Sequence, residues 1–139
     1  MMTAIRRGGP GDLEAVTAIQ YCSPEAARWN PQDYLAYDFW IAAADGTVAG
    51  FLVLRRVAPD ESEILNLAVS PDFRRQGLAT RLMETALQNF IGAFFLEVRE
   101  SNEGARKFYK SLGFHEVSRR PEYYEFPRES AIVMKFHSC

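Results

Sequence analysis

The chain has 139 residues, of which 47% are hydrophobic and 24% charged, and its formal net charge at pH 7 is -2. This is the size and composition of one globular domain, and the slight negative charge gives no overall electrostatic reason to bind nucleic acid strongly. The two cysteines, Cys22 and Cys139, match no metal-ligand spacing and could form at most one disulfide, which favours a reducing, cytoplasmic location. No stretch is long enough to span a membrane, and the first residues lack the apolar segment of a signal peptide. We therefore expect one domain over residues 1–139 that acts on a small molecule or a protein.

The first half of the chain predicts a strand, two helices and a hairpin. Asn30 can cap a short helix that has Pro31 at its first position. Asp45 and Gly46 suit the positive dihedral angles of a tight hairpin turn between two apolar runs. The predicted elements are a strand at 3–6, a helix at 13–21, a second helix from 31 to 36 or 37, and strands at 39–44 and 47–57.

The second half of the chain alternates between strands and helices. Pro71 cannot continue a strand ladder, Ser101 or Asn102 can cap a helix, and Gly113 sits where a left-handed C-terminal cap belongs. The predicted elements are a strand at 63–69, a helix at about 78–90, a strand at 94–99, a helix at 103–112, and two closing strands at 114–118 and 131–136, which a loop at 119–130 connects. The pattern indicates an α/β or α+β domain.

A glycine-containing turn before the predicted helix at 78–90 is the first candidate site. Unpaired backbone amides and the positive end of a helix dipole can bind a phosphate or pyrophosphate there, and Gly77 and Ala79 would let an anion approach closely. Arg74 and Arg75 add positive charge. Taken alone, such a glycine more often only supports a turn. The pattern lacks Gly-x-Gly-x-x-Gly and has no Gly-Lys-Ser/Thr ending, which disfavours dinucleotide binding and mononucleotide hydrolysis.

The run Arg74-x-x-Gly77-x-Ala79 after a Leu-Ala-Val strand resembles the acetyl-CoA signature of the GNAT N-acetyltransferases. Ala79 replaces the commoner second glycine. The segments that follow, Leu96-Glu97-Val98-Arg99-Glu100-Ser101-Asn102 and Arg119-Arg120-Pro121-Glu122-Tyr123-Tyr124, are similar to the ribosomal-protein-alanine N-acetyltransferase branch. The resemblance implies a single GNAT-type domain, with a mixed, mostly antiparallel sheet of six to seven strands, about four helices, and a splay at the cofactor site. The connection at 89–93 is shorter than is usual in this family.

The resemblance also implies how acetyl-CoA would be bound, without a metal. Three backbone positions of one strand would pair with the pantetheine arm, and the turn that follows would cradle the pyrophosphate with its amides. Asn102 would contact the cofactor at the start of a later helix. The implied cofactor-binding residues are Leu67, Ala68, Val69, Arg74, Arg75, Gln76, Gly77, Leu78, Ala79, Thr80 and Asn102.

Two residues are candidates for proton transfer. Glu97 alternates with the apolar Leu96 and Val98, and a carboxylate in a central strand is costly unless it is paired or functional. Tyr109 shares a helical face with apolar residues, so its spacing alone predicts a core aromatic. The resemblance implies that Glu97 is the general base that deprotonates the amine and that Tyr109 is the general acid that protonates the leaving thiol.

The acceptor side is less specific in the sequence. The predicted loop at 119–130 contains Tyr123 and Tyr124. These residues could bind the peptide backbone and amine of an acceptor, or they could belong to an ordinary solvated loop, and the residues alone favour neither interpretation. The resemblance favours acceptor binding. Trp29 lies where the branch often has an aromatic residue on the substrate side. His115 and His137 fit no metal site.

We therefore predict transfer of an acetyl group from acetyl-CoA to a primary amine by direct attack. The resemblance points to the N-terminal amine of a protein, such as an alanine-initiated ribosomal protein. A GNAT enzyme for a small amine or a lysine side chain is the alternative within the enzyme class, and a non-catalytic acetyl-CoA-binding module is the alternative outside it. The oligomeric state is left open by the sequence.

Overall fold

The computed structural model describes residues 2–23 and 29–138. Seven strands hydrogen bond side by side in the order β1-β2-β3-β4-β5-β7-β6. The neighbours β4 and β5 are parallel, whereas β1 with β2, β2 with β3, β5 with β7, and β6 with β7 are antiparallel. The strands are β1 (Thr3–Arg7), β2 (Asp38–Ala44), β3 (Thr47–Ala58), β4 (Glu61–Val69), β5 (Gly92–Arg99), β6 (His115–Tyr124) and β7 (Glu129–Ser138).

The described chain contains three α-helices and three short 3₁₀ helices. They are α1 (Leu13–Tyr21), α2 (Leu78–Asn89) and α3 (Glu103–Ser111), with 3₁₀ helices at Pro10–Asp12, Pro31–Ala36 and Pro71–Phe73. The predicted α/β class with a mostly antiparallel sheet is confirmed. None of the helices in residues 2–23 and 29–138 is long and apolar enough to cross a membrane.

The chain divides into two compact units. The first unit comprises Met1–Arg56 and Ile64–Phe90, and the second comprises Val57–Glu63 and Ile91–Cys139. Strand β4 contributes residues to both units, and its pairing with β5, from Glu61 opposite Ala93 to Glu63 opposite Phe95, lies within the second unit.

The core of the first unit forms where α1 and the 3₁₀ helix at Pro31–Ala36 pack on strands β2 to β4. Helix α1 buries Val16 and Ile19, which are three residues apart and therefore share one helical face. They pack with Tyr34, Ile41 and Phe51 in one buried cluster. Tyr34 is 1% exposed, so its hydroxyl must find a partner inside the protein.

Two predictions from short sequence patterns in the first unit are confirmed, one for a hairpin turn and one for a helix cap. Asp45 and Gly46 have φ angles of 50° and 83°, the left-handed values that a two-residue hairpin turn requires. Asn30 caps the following helix because its side chain accepts a hydrogen bond from the amide of Gln32 at 3.1 Å. That helix is 3₁₀ rather than α.

The second unit is organised around aromatic side chains. Phe114 packs against Tyr109 and Phe136, with ring centroids 5.6 and 5.4 Å apart, and Phe94 contacts Phe136 at 6.2 Å. Of the two predicted caps for α3, the structure uses Asn102, whose side chain accepts from the amide of Ala105 at 3.1 Å.

The predicted loop at 119–130 is wrong over most of its length, because β6 continues to Tyr124 and β7 begins at Glu129. Arg119 and Arg120 pair with β7, after which the register shifts before Tyr124 meets Glu129. Strand β6 forms the end of the sheet, where a proline such as Pro121 costs no ladder hydrogen bond. The connection between β6 and β7 is therefore only residues 125–128.

Candidate active site

The turn between β4 and α2 leaves backbone amides available for a ligand. The first helical hydrogen bond of α2 runs from the amide of Arg81 to the carbonyl of Gly77, at 3.0 Å. The three preceding amides, those of Leu78, Ala79 and Thr80, therefore fall within the first turn, where a helix has no internal acceptors. Gly77 has a φ of +76°, and Arg75 has a φ of +63°. Residues 74–77 are exposed, so this turn can accept an anion from solvent.

Arg74 has a structural contact that the sequence did not indicate. Its Nε donates to the carbonyl oxygen of Val69 at 3.2 Å, so the side chain folds back onto the end of β4. Beside it, β3 approaches β4 so closely that a Cβ on Gly50 would stand 2.9 Å from the carbonyl oxygen of Ala68. The amide of Leu67 donates to the side chain of Asn66 at 3.0 Å. The end of β4 is thus fixed by local contacts.

A buried polar network in the first unit joins α1, the 3₁₀ helix at Pro31–Ala36 and β4. Gln20 Oε1 accepts from the hydroxyl of Tyr34 at 2.5 Å and from Asn66 Nδ2 at 3.2 Å, and Asn66 Nδ2 also lies 3.1 Å from the Tyr34 oxygen. Gln20 Nε2 donates to the carbonyl of Trp29 at 2.7 Å. Burial raises the pKa of Tyr34. Trp29 itself is 44% exposed, so its ring is available on the surface of this unit while its backbone is held.

Glu97 lies in the second unit on β5, with its side chain only 13% exposed. Its Oε1 accepts a hydrogen bond from Arg120 NH1 at 2.6 Å. Its Oε2 is buried and makes no hydrogen bond of normal geometry within the part of the chain that the structure describes. A buried carboxylate with one paired oxygen and one oxygen that lacks a regular partner can accept a proton or bind a cationic group.

Tyr109 is a buried core residue, as its spacing alone predicted. It also lies close enough to Tyr124 to interact with it electrostatically, and Tyr124 in turn interacts with Glu97. Its ring contacts Phe108 and Phe114, and 9% of the residue is exposed. Burial raises the pKa of Tyr109, and the nearby Tyr124 phenol adds to this shift. The phenol therefore keeps its proton throughout the physiological pH range and is a hydrogen donor.

Tyr123 and Tyr124 contact each other and are each covered by an arginine. Their ring centroids lie 5.1 Å apart, with Arg120 Cζ 4.3 Å from the Tyr123 centroid and Arg99 Cζ 4.5 Å from the Tyr124 centroid. Burial and the negative charge of Glu97 raise the pKa of both phenols, that of Tyr124 to about 12. The tyrosines therefore stay neutral and can donate or accept hydrogen bonds, and the Glu97 carboxylate beside them is paired with Arg120.

Arg99 holds the connection between β6 and β7. It donates to the carbonyls of Pro127 at 3.0 Å and Glu125 at 3.1 Å, and it pairs with Glu129 Oε1 at 3.3 Å. Glu129 Oε2 in turn accepts from the amide of Ser101 at 2.6 Å. Hydrogen bonds from the side chain and the amide of Ser101 lower the pKa of the Glu129 carboxyl. This cluster fixes the chain that follows Tyr124.

The predicted site residues thus fall into two groups. The second unit brings together Glu97, Tyr109, Tyr123 and Tyr124. Asn102 also lies in the second unit, where its side-chain oxygen serves as the cap of α3. The first unit contains the predicted cofactor residues and the acceptor residue Trp29: Leu67, Ala68, Val69, Arg74, Arg75, Gln76, Gly77, Leu78, Ala79, Thr80 and Trp29.

The family of the chain is decided by a sequence match over residues 13–114, which fit the acetyltransferase (GNAT) family. The matched segment covers most of the chain, including the turn between β4 and α2, Glu97 and Tyr109. The chain belongs to the GNAT family.

Individual GNAT relatives agree with this. The [ribosomal protein bS18]-alanine N-acetyltransferase of Escherichia coli K12 is 40% identical over 96 residues, which are 65% of this chain and 64% of that protein. The crystal structure of the ribosomal-protein-S18-alanine N-acetyltransferase from Escherichia coli has a TM-score of 0.85 and 31% identity, covering 99% of this chain and 96% of the other. Ard1 from Thermoplasma volcanium has a TM-score of 0.89 and 29% identity, covering 100% and 99%. The similarity by sequence alone thus spans under two thirds of the curated relative.

Sequence reasoning missed three parts of this GNAT chain: the Gln20 network, the Arg99 cluster and the ion pair between Arg120 and Glu97. Each of them joins residues that are 9 to 46 positions apart. A charged residue in an otherwise apolar strand was the one available signal, and it pointed to Glu97 but not to its partner.

Proposed function

We propose that this protein transfers the acetyl group of acetyl-CoA to the N-terminal amine of a protein, with an alanine-initiated ribosomal protein as the expected acceptor. The observation that carries the proposal is the buried Glu97 carboxylate. Its Oε1 pairs with Arg120, its Oε2 has no hydrogen bond of normal geometry among the described residues, and the neutral Tyr123 and Tyr124 lie beside it. The 31% identity over 99% of the chain to an S18-alanine N-acetyltransferase supports the choice of acceptor. A cytoplasmic location remains a prediction.

The turn between β4 and α2 is the proposed cofactor site. Acetyl-CoA supplies an acetyl thioester, and its pyrophosphate needs several converging N–H donors. The amides of the first turn of α2 and the left-handed Arg75 and Gly77 fit that requirement. The contact of Arg74 with Val69 supports a structural role for its Nε in addition to any charge it offers the ligand.

Glu97 is the proposed general base. An α-amino group has an ordinary pKa of about 7.7–8.0 and is therefore partly protonated at neutral pH, so it must lose a proton before it can attack a thioester. Glu97 Oε2 accepts that proton, directly or through water. The neutral phenols of Tyr123 and Tyr124 are hydrogen-bonding groups that can contact an amine acceptor or its peptide backbone.

Tyr109 is the proposed donor to the leaving sulfur. A thiol has an ordinary pKa of about 8.5, and the pKa of Tyr109 lies above the usual phenol value, so complete proton transfer to the thiolate is uphill. The contribution of Tyr109 is therefore a hydrogen bond that stabilises negative charge as it develops on sulfur. The amine nitrogen attacks the thioester carbonyl directly, the C–N bond forms, and the C–S bond breaks. CoA leaves as a thiolate that Tyr109 stabilises and that takes its proton from solvent, so no covalent intermediate with the protein is required.

The function is tested by following CoA release with a panel of acceptors. The panel holds peptides with free alanine and other N-termini, a polyamine, and a lysine peptide whose N-terminus is blocked. We expect the alanine peptides to give the highest kcat/KM. Turnover of the polyamine or the blocked lysine peptide, with none on any free N-terminus, would overturn the proposed acceptor.

The roles are tested with Glu97→Gln and Tyr109→Phe. Loss of a general base lowers the rate by about 100-fold or more, so Glu97→Gln should lower kcat by that order while leaving acetyl-CoA affinity unchanged. Tyr109→Phe preserves the aromatic core and should lower kcat without changing acetyl-CoA affinity. Glu100→Gln, which removes an exposed carboxylate three residues away, is the matched control and should retain the wild-type rate.

A further inference from the structure

Arg120 contacts the proposed base, but the proposed reaction gives Arg120 no role of its own. Its NH1 lies 2.6 Å from Glu97 Oε1, and the two residues are 23 positions apart on different strands. The carboxylate is largely buried, whereas the Arg120 side chain is 53% exposed. Arg120 therefore reaches inward from the surface to hold one oxygen of an otherwise enclosed group.

The fold fixes Arg120 on the same face of the sheet as Glu97. Arg120 pairs with Ala131 on β7, and Ala131 pairs with Arg99 on β5. Paired residues project from the same face, as do residues two apart on a strand, so Arg99, Arg120 and Glu97 share one face. The small side chain of Ala131 lies between the two arginines.

Arg99 and Arg120 have different partners on this face. Arg99 is engaged by the connection between β6 and β7 through Pro127 and Glu129. Arg120 is engaged by Glu97, and its guanidinium lies over the ring of Tyr123. A planar guanidinium that is held by a ring on one side and bonded to a carboxylate at its edge has little freedom to rotate.

We propose that Arg120 is a positioning residue that orients Glu97 for proton acceptance. The terminal torsion of a glutamate is broad, so the plane of an unanchored carboxylate can take many orientations. Arg120 holds one oxygen and thereby fixes that plane, so the other oxygen, Oε2, keeps one direction for accepting the proton of the acceptor amine. This inference rests on the proposed role of Glu97 as the base.

The test compares Arg120→Gln with Arg120→Lys and Arg119→Gln. Arg119 is the matched control, because it is the neighbouring arginine on β6, is 54% exposed and pairs with Glu100 instead. A misplaced catalytic group costs up to about 100-fold in rate, so Arg120→Gln should lower kcat by about 10- to 100-fold with an unchanged KM for acetyl-CoA. Arg120→Lys should restore part of the loss, and Arg119→Gln should match the wild type.

A double mutant separates positioning from a general structural effect. If Arg120 acts through Glu97, Arg120→Gln should cause no further loss of kcat in a Glu97→Gln background. Circular dichroism and thermal unfolding establish that each variant folds, and Arg120→Lys keeps the test decisive if Arg120→Gln is unstable.

Two results would overturn the inference without affecting the proposed role of Glu97. In the first, Glu97→Gln is slow but Arg120→Gln and Arg120→Lys both turn over at the wild-type rate. In the second, Arg120→Gln lowers kcat by the full factor even in the Glu97→Gln background. A wild-type rate for Glu97→Gln would instead overturn the proposed function itself.

Discussion

Replacing Gln20 by leucine should destabilise the first unit more than removing the hydroxyl of its partner Tyr34. Leucine is similar in size but offers no hydrogen bond. The change leaves the Tyr34 hydroxyl without its 2.5 Å acceptor and the Trp29 carbonyl without its 2.7 Å donor. Asn66 keeps a contact, because its Nδ2 also lies 3.1 Å from the Tyr34 oxygen.

The magnitude follows from the groups left unpaired: the Tyr34 hydroxyl is buried, whereas the bond to the Trp29 carbonyl is part-buried. An unpaired buried group costs about 1–3 kcal/mol, so Gln20→Leu should lower the free energy of unfolding by about 2–3 kcal/mol. Tyr34→Phe removes a hydroxyl without orphaning a partner, because Gln20 Oε1 still accepts from Asn66, and should cost about 1 kcal/mol.

Urea denaturation followed by circular dichroism measures both values. Thr17→Val is the control on the same helix, because the exposed Thr17 hydroxyl donates to the carbonyl of Leu13 one turn earlier, and its effect should stay within about 0.5 kcal/mol. A Gln20→Leu variant that is as stable as Tyr34→Phe, or more stable, would refute the reasoning that unpaired groups dominate the cost.

Three further predictions concern backbone and charge. At Gly77 there is room for a Cβ, but the φ of +76° is strained for alanine. We therefore expect Gly77→Ala to lower the free energy of unfolding by about 1–2 kcal/mol in urea denaturation and to raise the KM for acetyl-CoA. An unchanged KM would argue against the anion site. Gly92→Ala combines a φ of +117° with a Cβ 2.0 Å from the Asp60 carbonyl oxygen and should cost at least about 3 kcal/mol in the same assay, clearly more than Gly77→Ala. Hydrogen bonds from Arg6 lower the pKa of Asp12 in the folded protein. The pair therefore stabilises the fold fully above the ordinary carboxyl pKa of about 3.9, and this stabilisation is lost as the pH falls through the lower pKa that Asp12 has in the folded state. Asp12→Asn should therefore cost about 1–2 kcal/mol at pH 7 and flatten the acid limb of stability against pH, whereas an unchanged limb would contradict the assignment.

The parts of the fold that the sequence predicted are those that neighbouring residues decide. The turn at Asp45 and Gly46 and the cap at Asn102 each depend on a few adjacent positions, and both are found. The strand through Arg119 and Arg120 was missed because a proline and several charges disfavour a strand locally. Pairing with β7 at the edge of the sheet overrides those preferences.

The candidate site was predictable only in part for the same reason. The family resemblance pointed to Glu97 and Tyr109, and the two lie in one unit with Tyr124, whose electrostatic interaction with Tyr109 marks their proximity. The partner of Glu97 could not be predicted, because it depends on the register of β6 against β7 and of β7 against β5. Such contacts are decided by tertiary pairing, which no local pattern encodes.

The most direct test of the proposed acetyl transfer maps where the acetyl group goes. The protein is incubated with labelled acetyl-CoA, a peptide that begins with alanine and carries one internal lysine, and an equal concentration of spermidine, and the products are located by fragmentation mass spectrometry. We expect the label on the α-amine of alanine, and we expect Glu97→Gln to abolish most of it. Label found only on the lysine or on spermidine, or an equal yield from Glu97→Gln, would contradict the account.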